Sequence, residues 1–100
     1  MITYRTPDGL EFEWGEKKDR SNRKDHGFSF PKAATVFVDS LSLVAPDDKH
    51  SIGEVRYNII GRSASDELLA VTYTERHGRI RIISAREATP RERRKDEEGN

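Results

Sequence analysis

Arg76-His77-Gly78-Arg79-Ile80-Arg81-Ile82-Ile83-Ser84-Ala85-Arg86 is the run from which the fold can be read. His-Gly is a turn signal, and the β-branched isoleucines after it favour a strand. Before it lies a second strand-like run, Leu68-Leu69-Ala70-Val71-Thr72-Tyr73-Thr74. Together they predict a β-hairpin. A two-residue turn at His77-Gly78 pairs Arg76 with Arg79, Thr74 with Arg81, Tyr73 with Ile82 and Thr72 with Ile83. Alternation then places Leu69, Val71, Tyr73, Ile80 and Ile82 on a core face. Thr72, Thr74, Arg76, Arg79 and Arg81 fall on the other face, and Arg86 falls on the core side. A three-residue turn would shift this register.

The run carries four arginines and no acid. Guanidinium stays charged and its planar fork fits phosphate. Arginines facing one another repel, so their clustering points to an anion on that face. The alternative is a solvated outer face balanced by Glu75 and other acids nearby.

One hundred residues make one domain with a modest core. Net charge is zero, which argues against indiscriminate binding to nucleic acid. The charge is unevenly spread, however. Residues 15–38 and 55–86 are net basic, and the remaining blocks are net acidic. The absence of cysteine removes disulfides and thiolate chemistry and suits a reducing cytoplasm. No apolar run reaches the roughly 18–20 residues needed to span a bilayer, and no signal-peptide pattern opens the chain.

Leu10-Glu11-Phe12-Glu13-Trp14 alternates apolar and acidic residues and predicts a short strand. Trp14 is the only tryptophan, either a core anchor or a stacking platform for a base. Residues 15–26 predict a polar helix, acidic at its start, basic at its end and stopped by Gly27. His26, at its last turn, is suited to proton transfer or to capping the final carbonyls. Residues 28–39 predict a second helix, with Ser29 as N-cap or, if Phe30 caps, Pro31 in the first position. Ala33, Ala34, Val36 and Phe37 form its core stripe. Residues 41–45 predict a strand. The following loop holds Asp47, Asp48 and His50, a weak pattern for a metal site. Residues 55–62 predict the next strand, with Val55, Tyr57 and Ile59 inward and Arg56, Asn58 and Arg62 outward. Thr89-Pro90-Arg91-Glu92 is a capping box that opens a last helix. The expected fold is α+β: a short N-terminal strand, two helices, a four-stranded antiparallel meander and a C-terminal helix. Residues 1–9 and 97–100 are expected to be flexible.

Several of these residues recur as a set. Phe12-Glu13-Trp14, Asn22, His26-Gly27, Ser29-Phe30 and Ala33-Ala34-Thr35-Val36-Phe37 come first. Gly61-Arg62-Ser63, the run from Val71 to Arg76, the run from Arg79 to Arg86, and Glu92-Arg93-Arg94 follow. In this set the chain resembles the BrnT family, the toxins of a bacterial type II toxin–antitoxin system. It departs from the family pattern at Asp25, where lysine is common, and at Lys95-Asp96, where an aromatic is common. The resemblance implies a RelE-like fold and a ribonuclease that halts translation. It also implies a BrnA-like antitoxin bound as a hetero-oligomer, with DNA reached only through that antitoxin.

A ribonuclease without metal or cofactor uses the RNA 2′-hydroxyl as nucleophile. It needs cationic donors at the phosphorane and a group for proton transfer. The expected catalytic set is His26, Arg62, Arg76 and Arg81, with His77 and His50 as further candidates for the base. Trp14, Lys24, Arg56, Arg79 and Arg86 are expected to bind RNA, although Arg86 is the weakest of these because it should pair with Glu92 or Glu87. The competing functions are a non-catalytic module whose basic face binds an acidic protein partner, and a DNA-binding subunit without chemistry.

Overall fold

The computed structural model describes residues 1–99. One mixed sheet of six strands carries the fold. The strands are β1 (Ile2–Arg5), β2 (Glu11–Trp14), β3 (Leu43–Pro46), β4 (Arg56–Arg62), β5 (Leu68–Arg76) and β6 (Arg79–Glu87). Their order is β1-β2-β6-β5-β4-β3. β3 to β6 are successive antiparallel neighbours, and β2 joins β6 in parallel. The helices are α1 (Glu16–His26), α2 (Phe30–Ala34) and α3 (Pro90–Gly99). Among the described residues no helix is long and apolar enough to cross a membrane.

The hairpin turn is as the sequence predicts. His77 and Gly78 both take positive φ, as a two-residue turn matched to strand twist requires. Arg76 faces Arg79, Thr74 faces Arg81 and Tyr73 faces Ile82. Beyond that the register changes. Thr72 pairs with Ser84, which leaves Ile83 as a bulge. A bulge inserts one residue and reverses the alternation that follows. Ala85 therefore enters the core, and Arg86 emerges on the opposite face. The core-side position expected for Arg86 is corrected accordingly.

The core lies on the other side of the sheet. Phe12, Trp14, Ile59, Leu69, Val71, Tyr73, Ile82 and Ala85 are buried there against Phe30, Ala33, Ala34 and Val36. Edge-on aromatic pairs, Phe12 with Phe37 and Phe37 with Tyr73, tie the layers together. Ser29 is the N-cap of α2, accepting from the Lys32 amide, and Pro31 follows within the first turn. The helix expected over residues 28–39 is shorter. It gives way to a 3-10 turn at Thr35–Val38. Thr35 Oγ1 donates to the Lys32 carbonyl, a local bond that competes with helix propagation, and β-branched Val36 and Val38 follow.

Regular structure reaches both ends of the described residues. Residues 1–9 contain β1, which pairs with β2 from Ile2↔Trp14 to Arg5↔Glu11. All four of its residues are exposed, so no burial pattern marked it. At the other end α3 runs through Gly99, and Asn100 lies outside the described residues. Val55 is 55% exposed rather than inward, because β4 begins only at Arg56.

Gly61 shows how tightly the turn after α2 is seated. A Cβ there would lie 2.9 Å from Ser42 Cβ and 3.0 Å from both Asp39 Oδ2 and Val36 Cγ1. Asp39 Oδ2 also accepts from the Arg62 amide at 2.8 Å. Gly61→Ala is expected to lower stability by about 1–3 kcal/mol, by overpacking this contact. The urea midpoint measures it.

Candidate functional site

The arginines on the open face of the sheet are not short of acids. Arg76 meets Glu54 at 3.0 Å, Arg79 meets Glu11 at 3.2 Å, and Arg81 meets Glu13 at 2.8 Å. Arg86 forms a two-pronged pair with Glu92 at 2.7 and 3.0 Å. Arg62 lies 3.9 Å from Asp66. The acid-free appearance of residues 76–86 is a property of sequence only. β2 and the loop before β4 bring carboxylates in from far along the chain, and α3 supplies Glu92 from just beyond the run.

Cross-strand rows place what remains. In one row Arg56, Thr74 and Arg81 stand side by side. The next row is Ala45, Asn58, Thr72 and Ser84, all small or short polar residues. The third is Leu43, Ile60, Ala70 and Arg86. Rows on one face lie about 7 Å apart. The middle row is thus a low floor with guanidinium groups on either side. A polar depression of ≈ 320 Å³ forms over it, lined by Asp47, His50, Arg56, Asn58, Thr72, Ile83, Ser84 and Arg86.

His50 closes the end of this depression nearest β3. Its Nδ1 lies 2.9 Å from Asp47 Oδ2. A carboxylate only accepts, so Nδ1 carries the proton and Nε2 keeps its lone pair when the ring is neutral. Among the described residues no three His, Asp or Glu side chains converge as metal ligands. Of the two arginines that line this depression, Arg56 is the less committed. Glu54 stands 3.6 Å from one of its terminal nitrogens, but its Nε is buried with no hydrogen-bond partner among the described residues. Such a donor needs an acceptor that the chain itself does not supply.

Arg86 is held differently. Glu92 accepts from both of its terminal nitrogens and also from the Thr89 amide, while Thr89 Oγ1 accepts from the Glu92 amide. One carboxylate therefore caps α3 and orients a guanidinium of the site. The Arg86 hydrogen bond holds the Glu92 carboxyl below its ordinary value of 4.5, against the opposing effect of burial. Because this shift is downward, the stability it confers is present above the ordinary value and is lost as pH falls through the folded value. Glu92→Gln is expected to lower stability at pH 7 by about 1–2 kcal/mol, through the weakened cap and pair. It is also expected to flatten the decline of stability below about pH 5. Urea unfolding at several pH values tests both effects.

The expected site residues do not form one group. Trp14 is 4% exposed and packs edge-on against Phe30, so its ring is not offered to a base. Arg62 lies at the end of β4, Arg76 at the hairpin tip, and Arg79 and Arg81 beside β2, each with its acid. Lys24 is exposed on α1, outside both depressions. His77 sits in the turn. His26 lines a neighbouring depression with Lys18, Ser21, Asn22 and Asp25, and Ile83 and Ser84 border both. Arg56 and Arg86 do come together. Sequence reasoning ranked His50 low, attached no role to Asn58, Thr72 or Ser84, and missed that Asp47 serves the imidazole.

A family model described as ribonuclease toxin, BrnT, of type II toxin–antitoxin system matches residues 14–92. The structure is similar to a crystal structure of the Brucella abortus ribonuclease toxin BrnT. The TM-score is 0.61 at 22% identity, covering 78% of this chain and 95% of that one. That likeness supports the shared α+β fold. No curated protein matches by sequence. The family match takes in the polar floor, both flanking arginines and the Asp47–His50 pair, and on its extent the chain belongs to the BrnT family of type II toxin–antitoxin ribonuclease toxins.

Proposed function

We propose that the chain is a RelE-like, single-domain endoribonuclease toxin that cuts RNA over the Asn58–Thr72–Ser84 floor without a metal ion. The observation that carries this reading is the convergence of Arg56, Arg86 and the Asp47–His50 pair around that floor. His50 Nε2 takes the proton of the RNA 2′-hydroxyl. The 2′-oxygen bonds to phosphorus, the bond from phosphorus to the 5′-oxygen breaks, and the departing 5′-oxygen takes up a proton from water. A 2′,3′-cyclic phosphate and a 5′-hydroxyl result. Arg56 and Arg86 donate to the phosphate oxygens as charge builds on the phosphorane. An RNA strand crossing the floor away from His50 runs over Ser84 toward His26, the second imidazole available for proton transfer. Arg62, Arg76, Arg79 and Arg81 act at most through the field they add, since none of them lines the floor.

Type II family membership implies an antitoxin partner. The finer proposal is a BrnA-like protein that binds this chain in a hetero-oligomer and neutralises it. Cleavage of cytoplasmic RNA would then halt translation when the antitoxin is lost. A module that binds an acidic protein partner fits less well, because the basic face already carries its own carboxylates.

The test is incubation of antitoxin-free protein with purified RNA in EDTA, beside His50→Ala. Wild type is expected to release cyclic phosphate ends, and the variant to be slowed about 100-fold or more. Intact RNA with folded wild type would overturn the reading.

A further inference from the structure

The loop that carries His50 is not held by packing. None of residues 47–55 is buried. A segment with so little buried surface is ordered by its polar bonds. Here those bonds meet at one hydroxyl. Ser51 Oγ donates to the Asp47 carbonyl at 2.6 Å and accepts from the Arg56 amide at 2.9 Å. The Asp47 amide donates to the Arg56 carbonyl at 2.7 Å, which closes a ring through the three residues. The β3–β4 ladder ends at Pro46↔Tyr57, so Asp47 would face Arg56 in the next pair. Such a pair can exchange two backbone bonds. One of them is made directly. In the other, the Ser51 hydroxyl stands between the Arg56 amide and the Asp47 carbonyl.

The two residues joined in this way serve different parts of the site. The Asp47 side chain holds the His50 ring, and its carbonyl also accepts from the His50 amide at 3.2 Å. Arg56 flanks the floor. Resting on the ribonuclease reading above, we propose that Ser51 is a positioning residue, whose hydroxyl ties the His50 loop to the Arg56 backbone and so fixes the spacing between base and cation. Ser51 touches no substrate in this role. It acts through Asp47 and Arg56. Spacing of this kind matters because a misplacement of about 1 Å can cost a reaction about 100-fold. A water molecule in place of the hydroxyl would make the same two bonds without tying either to the residue next to His50.

The experiment measures RNA cleavage in EDTA by wild type, Ser51→Ala, Ser51→Thr, His50→Ala and the Ser51→Ala/His50→Ala double variant, each first shown to be folded by circular dichroism. Ser51→Ala is expected to cleave about 10–100-fold more slowly than wild type. Ser51→Thr keeps a hydroxyl and is expected to restore most of the rate. With His50 already removed there is no base left to place, so Ser51→Ala is expected to add no further loss, as for residues that act as a unit. A purely structural role would slow both backgrounds alike. Amide hydrogen exchange at Arg56, followed by NMR, is expected to be faster in Ser51→Ala and normal in Ser51→Thr. Full-rate cleavage by Ser51→Ala, or an equal loss in both backgrounds, overturns the proposal. Absence of cleavage by wild type would sink the ribonuclease reading alone. Faster exchange at Arg56 in Ser51→Ala would then still support the tie, and unchanged exchange would overturn it.

Discussion

Asn22→Asp, a change of one NH₂ for one oxygen, is expected to destabilise the protein by about 3–5 kcal/mol. Asn22 is 6% exposed, in a helix otherwise without a buried side chain. Its Oδ1 accepts from the Ala85 amide at 3.0 Å. Its Nδ2 donates to the Ala85 carbonyl and to the Phe28 carbonyl, each at 2.8 Å. β2 pairs with β6 only at Ile80 and Arg81, so the β6 edge beyond has lost its neighbour strand. Asn22 stands in for that strand with a single amide. Aspartate keeps the acceptor and loses both donors, so two carbonyls face a carboxylate in a dry site. Asn22→Leu should be severe as well, because it abandons all three bonds. Urea unfolding of both variants measures the effect. A loss below about 1 kcal/mol would mean that water takes over these bonds and that α1 is held by other contacts.

Arg56→Ala is expected to leave stability nearly unchanged while slowing RNA cleavage by about 100–1000-fold. The Arg56 Nε has no partner to orphan, and Glu54 keeps Arg76 at 3.0 Å. Arg81→Ala should behave in the opposite way. It removes the 2.8 Å partner of Glu13, a carboxylate only 8% exposed, and should register first in the unfolding midpoint. Measuring initial cleavage rates and thermal midpoints of both variants separates a residue that acts on substrate from one that serves the fold. Normal cleavage by Arg56→Ala would move the electrophilic role to Arg86 or away from this floor.

Local features of the fold were legible in the sequence. The His77-Gly78 turn, the helix stop at Gly27 and the capping box at Thr89–Glu92 each depend on a few neighbouring residues, and each is where the sequence puts it. The bulge was not legible. Ile82 and Ile83 are chemically alike, and nothing local says which one leaves the ladder. That single ambiguity put Arg86 on the wrong face. The site was hidden for a related reason. Its floor consists of Asn58, Thr72 and Ser84, three unremarkable residues on three strands that become a feature only when registered side by side. The same holds for the carboxylates. Glu11 and Glu13 look like the outer face of a short strand until a parallel pairing with β6 sets them beside Arg79 and Arg81.

That internal pairing also bears on how the protein should respond to ionic strength. Binding to a nucleic acid strand weakens with added salt in proportion to the phosphates whose counterions are displaced, with a logarithmic slope near −0.7 per phosphate for single strands. Six unpaired arginines would give a slope of about −4. With only Arg56 and Arg86 facing the floor, the slope expected is about −1.4, so affinity should fall about sevenfold between 50 and 200 mM salt. On the proposed reading, a neutral toxin of this design would grip its target by the fit of a few groups and stay indifferent to the bulk of polyanions around it.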